Sequence, residues 1–156
     1  MFRTEQIGDI DSFVQLYEQS QFASEVGAAI HLQPNSNGIL RRWGILAEDF
    51  GGVEMCQLAE YDEAGNETRR ANLRDANRMW QHPWQLVHRV RLHDRLKLAA
   101  IGKEGAGTPA KLHLSSKVLS VDAESGTVVL ENGSVQADVI LGADGIYVSS
   151  GFPMQG

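Results

Sequence analysis

An α/β fold is predicted by two strand-like runs and by what lies between them. Toward the C-terminal end, Ala137-Asp138-Val139-Ile140-Leu141 reads as a buried apolar strand ending in Gly142-Ala143-Asp144-Gly145. Toward the N-terminal end, Phe13-Val14-Gln15-Leu16-Tyr17-Glu18 alternates large and polar residues and closes on an acid before Gln19-Ser20-Gln21. Between them come helical spacings and several short alternating runs punctuated by turn residues. In an open α/β sheet, ligands lie outside the carboxyl ends of the strands, where a carboxylate accepts hydrogen bonds from a ribose and a glycine lets backbone approach. Glu18 and the pair Asp144-Gly145 are therefore candidate nucleotide contacts, and the reading requires the two acids to meet at one crevice. An Asp-Gly pair is equally an ordinary turn, and a glutamate closing a strand is equally a solvated surface charge.

The elements follow in order. The segment from Glu25 to Pro34 is apolar and small, and Gly27, Ala28 and Ala29 allow backbone to lie against a flat ligand as a loop, or to pack tightly in a core. Asn35 or Ser36 can cap a helix whose Ile39, Leu40 and Trp43 share a face and which Gly44 ends. Val53 to Leu73 reads as two extended runs around the turn Asp62-Glu63-Ala64-Gly65-Asn66. Asn77 to Trp84 is aromatic and prolyl, a loop or an irregular lead-in to a strand. Arg89 stands just before a helix in which Leu92, Leu96 and Ala99 recur at helical spacing and Gly102 supplies the stop. After a glycine-rich loop from Lys103 to Ala110, the runs Lys111–Leu114, Lys117–Val121, Thr127–Leu130 and Val135–Leu141 predict a small antiparallel meander feeding the final parallel strand. Glu131-Asn132-Gly133 is its clearest turn.

Composition narrows the function classes. At 156 residues, with 42% hydrophobic and 22% charged residues, the chain has a globular balance. A net charge of −6 argues against a nucleic-acid partner, and Arg41-Arg42 and Arg69-Arg70 read as solvated faces. Cys56 is the only cysteine, which excludes an internal disulfide and any multi-cysteine metal site. His31, His82, His88, His93 and His113 include no pair at the spacing that puts two imidazoles on one helical face, so no metal site is expected. No serine occupies a nucleophile elbow. No stretch approaches the ~18 apolar residues of a membrane span, and the chain is expected to be soluble and cytoplasmic.

Four segments together resemble one family, the flavin-dependent aromatic hydroxylases typified by salicylate hydroxylase and para-hydroxybenzoate hydroxylase, especially its fungal members. They are Tyr17-Glu18-Gln19-Ser20; Glu25-Val26-Gly27-Ala28-Ala29-Ile30-His31-Leu32-Gln33-Pro34-Asn35 with the helix to Trp43-Gly44; Val87-His88-Arg89-Val90-Arg91-Leu92-His93; and Gly142-Ala143-Asp144-Gly145. The resemblance runs roughly from Val14 to Tyr147. It implies a partial FAD-binding Rossmann-like parallel sheet over 14–147, with an antiparallel meander and part of a substrate-side β-hairpin inserted at 51–84. It further implies that Glu18 holds the ribose, the Gly27–Ala29 segment lies along the flavin, Arg89 bonds the cofactor, and Asp144-Gly145 closes the dinucleotide site. The implied reaction is FAD-dependent monooxygenation of a small aromatic molecule with NADH or NADPH as reductant, in secondary metabolism or aromatic catabolism. No catalytic base is assigned.

Both ends depart from the family pattern. Residues 1–13 lack the strand and Gly-x-Gly-x-x-Gly turn that would cradle a pyrophosphate, and no arginine follows Asp144 in 148–156. The expectation is a chain truncated at both ends; Val148-Ser149 can be encoded by the splice-donor sequence GTAAGT, consistent with a tail translated from an intron. A catalytically inactive remnant is the alternative to an active monooxygenase, and an NADH-binding module is a third.

Overall fold

The computed structural model describes residues 13–21, 27–104 and 107–145. In chain order its elements are β1 (Gln15–Tyr17), β2 (Ala29–Leu32), α1 (Pro34–Arg42), a short 3-10 helix (Ala47–Phe50), β3 (Val53–Glu54), β4 (Gln57–Tyr61), β5 (Glu67–Asn72), α2 (Arg74–Met79), β6 (Gln85–His88), α3 (Arg89–Ile101), β7 (Lys111–His113), β8 (Val118–Asp122), β9 (Thr127–Leu130) and β10 (Gly133–Gln136). They fall into two compact units, Glu25–Gly105 and Phe2–Ser24 with Ala106–Gly156.

The first unit is organised by β6. It pairs antiparallel with β2, Ala29 opposite His88 and Leu32 opposite Gln85, and on its other side with β3, Val53 opposite Leu86. Alternation along β6 buries Gln85 and Val87 and leaves His88 exposed, as the two-residue period of a strand requires. Leu32, Leu40, Ile45, Ala47, Phe50, Val87 and Leu92 form the core, with Leu96 and Ala99 packed against it. Leu92, Leu96 and Ala99 thus share the inward face of α3, as their spacing predicts. β4 and β5 form an antiparallel hairpin whose turn is closed by Asp62: its Oδ1 accepts from the Asn66 amide at 2.8 Å and the Ala64 amide at 3.0 Å.

Two buried asparagines hold irregular chain in place. Asn37, fully buried on α1, donates through Nδ2 to the Pro83 carbonyl (2.8 Å) and to Gln85 Oε1 (2.7 Å). Asn77 on α2 donates to the Met55 carbonyl (3.0 Å) and accepts from the Trp84 amide (2.9 Å). Burying these amide groups is tolerable because each bonded atom replaces water with a protein partner, while Asn37 Oδ1 has no hydrogen-bond partner among the described residues. Glu48, ion-paired with Arg41, closes the same region. Desolvation pushes its carboxyl up, but the opposing pull of its backbone amide, Arg41 and Gln85 leaves it below the ordinary glutamate range.

The second unit contains the parallel pairing. β1 runs parallel to β7, Gln15 opposite Lys111 and Tyr17 opposite His113, and the Tyr17 and His113 rings stack at 4.7 Å. β10, β9 and β8 form an antiparallel sheet in that order, with Gly133 opposite Leu130 across the Glu131-Asn132 turn. Val128 is the only buried hydrophobic residue among this unit's described residues.

The α/β class, with a parallel sheet and antiparallel sheets, stands as expected, and several local readings are corrected. The run Ala137–Leu141 forms no strand: the pairing ends where the Ala137 amide donates to Gly126 at 2.9 Å, and Val139 and Leu141 are 74% and 76% exposed. Apolar residues predict a strand only where a neighbouring strand supplies hydrogen bonds, and none of the described residues pairs with this run. Lys111–His113 leaves the meander to pair with β1. Ala29–Leu32, expected within a loop, is β2, because β6 gives it a partner. Asn77 lies in α2, and the irregular segment begins only at Trp80. The N-cap of α1 is Gln33 with Pro34 in the first turn, so Asn35 and Ser36 lie inside the helix. Its buried side is Asn37, Gly38 and Leu40, whereas Ile39 and Trp43 are 48% and 45% exposed. Of the divergent ends expected at 1–13 and 148–156, all but Phe13 lie outside the described residues, as do Glu25 and Val26. Among the described residues no helix is long and apolar enough to cross a membrane.

Candidate functional site

The site residues expected from sequence occur in both units. In the second, Glu18 directly follows β1. Its amide donates to the His113 carbonyl and its carbonyl accepts from the Ser116 amide, both at 2.9 Å, so the backbone of Glu18 extends the β1–β7 pairing by one rung. The half-buried Glu18 therefore stands at the carboxyl end of a parallel strand, where the ligand of such a sheet lies. Its Oε1 accepts from the Ser20 amide at 2.8 Å, while Oε2 has no protein donor among the described residues. Such a carboxylate retains an acceptor for a ribose hydroxyl.

Asp144 and Gly145 are both exposed, in irregular chain and not at a strand tip. Gly145 adopts φ +71°, a left-handed conformation that favours glycine, so the turn reading of Asp-Gly describes the local backbone. Glu18 and Asp144 belong to the same unit, and no hydrogen bond among the described residues joins them.

In the first unit, strand pairing brings together two segments far apart in sequence. Ala29 lies opposite His88, and the Arg89 amide donates to the Ala28 carbonyl at 3.0 Å. Gly27, Ala28 and Ala29 thus sit beside Arg89, the first residue of α3 and not the residue before it. Ala28, Ala29 and Arg89 are exposed and Gly27 is half-buried, which makes an accessible strip of small residues beside the backbone of Arg89.

His88 is a participant that sequence reasoning missed. A Cβ built on Gly27 would lie 2.0 Å from His88 Cε1 and 2.6 Å from Nε2, so the imidazole packs directly against the glycine. With the His88 ring in this position there is no room for a Cβ at residue 27, and a larger residue there would displace the exposed ring. Nothing in the spacing of His88 reveals this, because it depends on the β2–β6 register. Among the described residues no group of three His, Cys, Asp or Glu side chains is arranged to hold a metal ion.

No family model matches the chain. Among curated proteins, it is 40% identical over 134 residues to the FAD-dependent monooxygenase phomE' of Diaporthe leptostromiformis, which covers 85% of this chain and 34% of that protein. It is 36% identical over 134 residues to hispidin-3-hydroxylase of Neonothopanus nambi, covering 85% of this chain and 32% of that protein. Among solved structures, the tetrameric form of 2-methyl-3-hydroxypyridine-5-carboxylic acid oxygenase superposes with a TM-score of 0.64 at 26% identity, covering 85% of this chain and 33% of that one. The chain therefore spans about a third of the length of the relatives it matches. Over that third, its sequence is similar to those of proteins named FAD-dependent monooxygenases.

Proposed function

We propose that this chain is part of an FAD-dependent monooxygenase that hydroxylates a small aromatic molecule, and that Glu18, Gly27, Ala28, Ala29, Arg89, Asp144 and Gly145 are its cofactor contacts. The observation that carries the reading is the convergence of Gly27–Ala29 with Arg89 through the β2–β6 pairing. The residues present suit FAD. The exposed strip of small side chains suits a flat ring system, and an arginine whose backbone adjoins it suits the cofactor's polar atoms, because its side chain stays charged and offers several donors. Glu18 offers carboxylate acceptor capacity at the end of β1, in keeping with ribose binding. Asp144 and Gly145 are proposed to contribute a second acceptor and a close backbone approach.

When bound, FAD would supply the redox chemistry, insertion of one oxygen atom of dioxygen into the substrate with NADH or NADPH as reductant. The chain's own residues bind and orient it: Gly27 leaves room for the His88 ring beside the strip, and the Ala28 carbonyl, by accepting from the Arg89 amide, fixes the backbone at the start of α3. We assign no proton-transfer role to any residue. Residues 14–147 form the proposed cofactor-binding region, with 51–84 as its substrate-side insertion, and the proposed compartment is the cytoplasm.

The test is gel filtration of the purified chain mixed with FAD, followed by absorbance of the protein peak. Retained yellow colour that falls in Glu18→Ala and Arg89→Ala supports the assignment; folded, colourless protein overturns it. A colourless result would favour a second reading, a fold kept without turnover, to which the exposed Val139 and Leu141 already lend weight.

A further inference from the structure

The sequence contains two Asn-Gly pairs, Asn37-Gly38 and Asn132-Gly133, and the fold places them in opposite surroundings. An asparagine followed by glycine is prone to attack on itself: the next backbone nitrogen can reach the side-chain carbonyl carbon, and glycine has no Cβ to obstruct the approach. The reaction needs a side-chain amide free to turn, a backbone able to leave its regular conformation, and access to water.

Asn37-Gly38 meets none of these conditions. Both residues are buried in α1, and Asn37 Nδ2 is held by the Pro83 carbonyl and by Gln85 Oε1. A helix fixes the dihedrals of its residues and ties each amide to the preceding turn, as the Asn37 amide is tied to the Gln33 carbonyl at 2.8 Å. The His82 ring covers the glycine, where a Cβ would lie 2.6 Å from His82 Cδ2.

Asn132-Gly133 meets all three. Both residues are exposed, and the Asn132 side chain makes no hydrogen bond among the described residues. Gly133 adopts φ +144°, and a Cβ built there would meet nothing within 4 Å, so there is space for a ring to close. The loop between β9 and β10 is Glu131-Asn132, and neither residue has a positive φ. It is therefore not one of the primed turns whose twist matches a hairpin. β10 is the outer strand of its sheet, and Val128 is the only buried hydrophobic residue described in this unit, so local opening of the turn costs little.

We propose that Asn132 is a self-modification site, converted without an enzyme to aspartate and isoaspartate, while burial in α1 exempts Asn37. The Gly133 nitrogen, losing its proton to solvent, bonds to Asn132 Cγ, and the side-chain nitrogen leaves as ammonia. Water then opens the cyclic imide at either carbonyl. Opening at one gives aspartate; opening at the other gives isoaspartate, in which the main chain runs through an extra methylene. Either product adds a carboxylate beside Glu131, and the second also lengthens the turn, so the β9–β10 pairing loosens from that end.

The test incubates the full chain in mildly alkaline buffer and follows the peptides carrying Asn37 and Asn132 by mass spectrometry. Methylation by an isoaspartate-specific methyltransferase is the second readout. In native buffer Asn132 converts about tenfold faster than Asn37 or more, equivalent to a barrier lower by about 1.4 kcal/mol. In concentrated urea the two pairs convert at comparable rates, because the fold no longer separates them. Isoaspartate exceeds aspartate among the products. Asn132→Gln removes the methylation signal, since its longer side chain must close a larger ring. The proposal is overturned if Asn132 stays intact while the urea-unfolded chain converts, if both pairs convert equally in native buffer, or if aspartate forms without isoaspartate, the mark of direct hydrolysis. None of these outcomes depends on whether the chain retains FAD.

Discussion

The two units of this chain differ sharply in how their apolar residues are placed. The first buries Leu32, Leu40, Ile45, Ala47, Phe50, Val87 and Leu92 in one cluster; the second buries Val128 and leaves Phe13, Leu119, Val139 and Leu141 more than half exposed. Both carry comparable apolar runs in sequence. The first has β6 with a partner on each side and α3 to cover it, whereas the second divides into a two-stranded and a three-stranded sheet. Hydrophobic residues stabilise only where other elements close over them. Among the described residues, the buried core is therefore concentrated in the unit that carries the small-residue strip.

The largest expected effect comes from emptying the core. Phe50→Ala should lower unfolding free energy by about 3–5 kcal/mol in urea, while Val128→Ala should cost less than half as much. Equal losses would erase the contrast between the units. Removing a polar clamp comes next: Asn37→Ala strands the Gln85 side chain and the Pro83 carbonyl in a buried site and should cost about 1–3 kcal/mol. Hydrogen exchange should then rise at residues 80–85 and not in β8 to β10.

Third, the double substitution of Val139 and Leu141 by lysine should change stability by no more than about 0.5 kcal/mol, because both side chains already face solvent. A loss of several times that would show these residues to be covered in solution. The smallest effect is expected at two turns that the units share in kind. Asp62 is held below the usual aspartate range first by the Asn66 side chain and then by the Asn66 amide, and Asp122 first by the Ser125 hydroxyl and then by the Ser125 amide. Each carboxyl is depressed in the folded state, so its contribution is full above the unfolded value and fades as pH falls through the folded one. Acidification below the usual aspartate range should therefore speed exchange at the Ala64, Asn66 and Glu124 amides. Asp62→Asn should remove that pH response in the β4–β5 turn and leave the Asp122 turn unaltered.

Local chemistry proved legible where it was self-contained. The hairpin closed by Asp62, the α3 face of Leu92, Leu96 and Ala99, and the turn at Glu131-Asn132 each depend on residues close in sequence. Glu18 at the end of its strand was also anticipated, whereas the pairing that brings Gly27–Ala29 beside the Arg89 backbone was not read from the sequence, which offered only separate cofactor roles for each through a family resemblance. What failed depended on distant partners. Ala137–Leu141 has the composition of a strand without a neighbour, and Ala29–Leu32 looked irregular because β6, its partner, was not recognised. Asn37 and Asn77 gave no sign of burial, since an asparagine in a helix is ordinarily a surface residue.

The Asn37 clamp has an evolutionary corollary. It grips Pro83 by a main-chain oxygen, an atom present at every residue, so the path of the segment is insured against changes in most of its side chains. Trp80 and Gln81 can drift under selection while the scaffold beneath them stays put, and a lineage could recast this stretch of surface without having to reinvent the architecture around it.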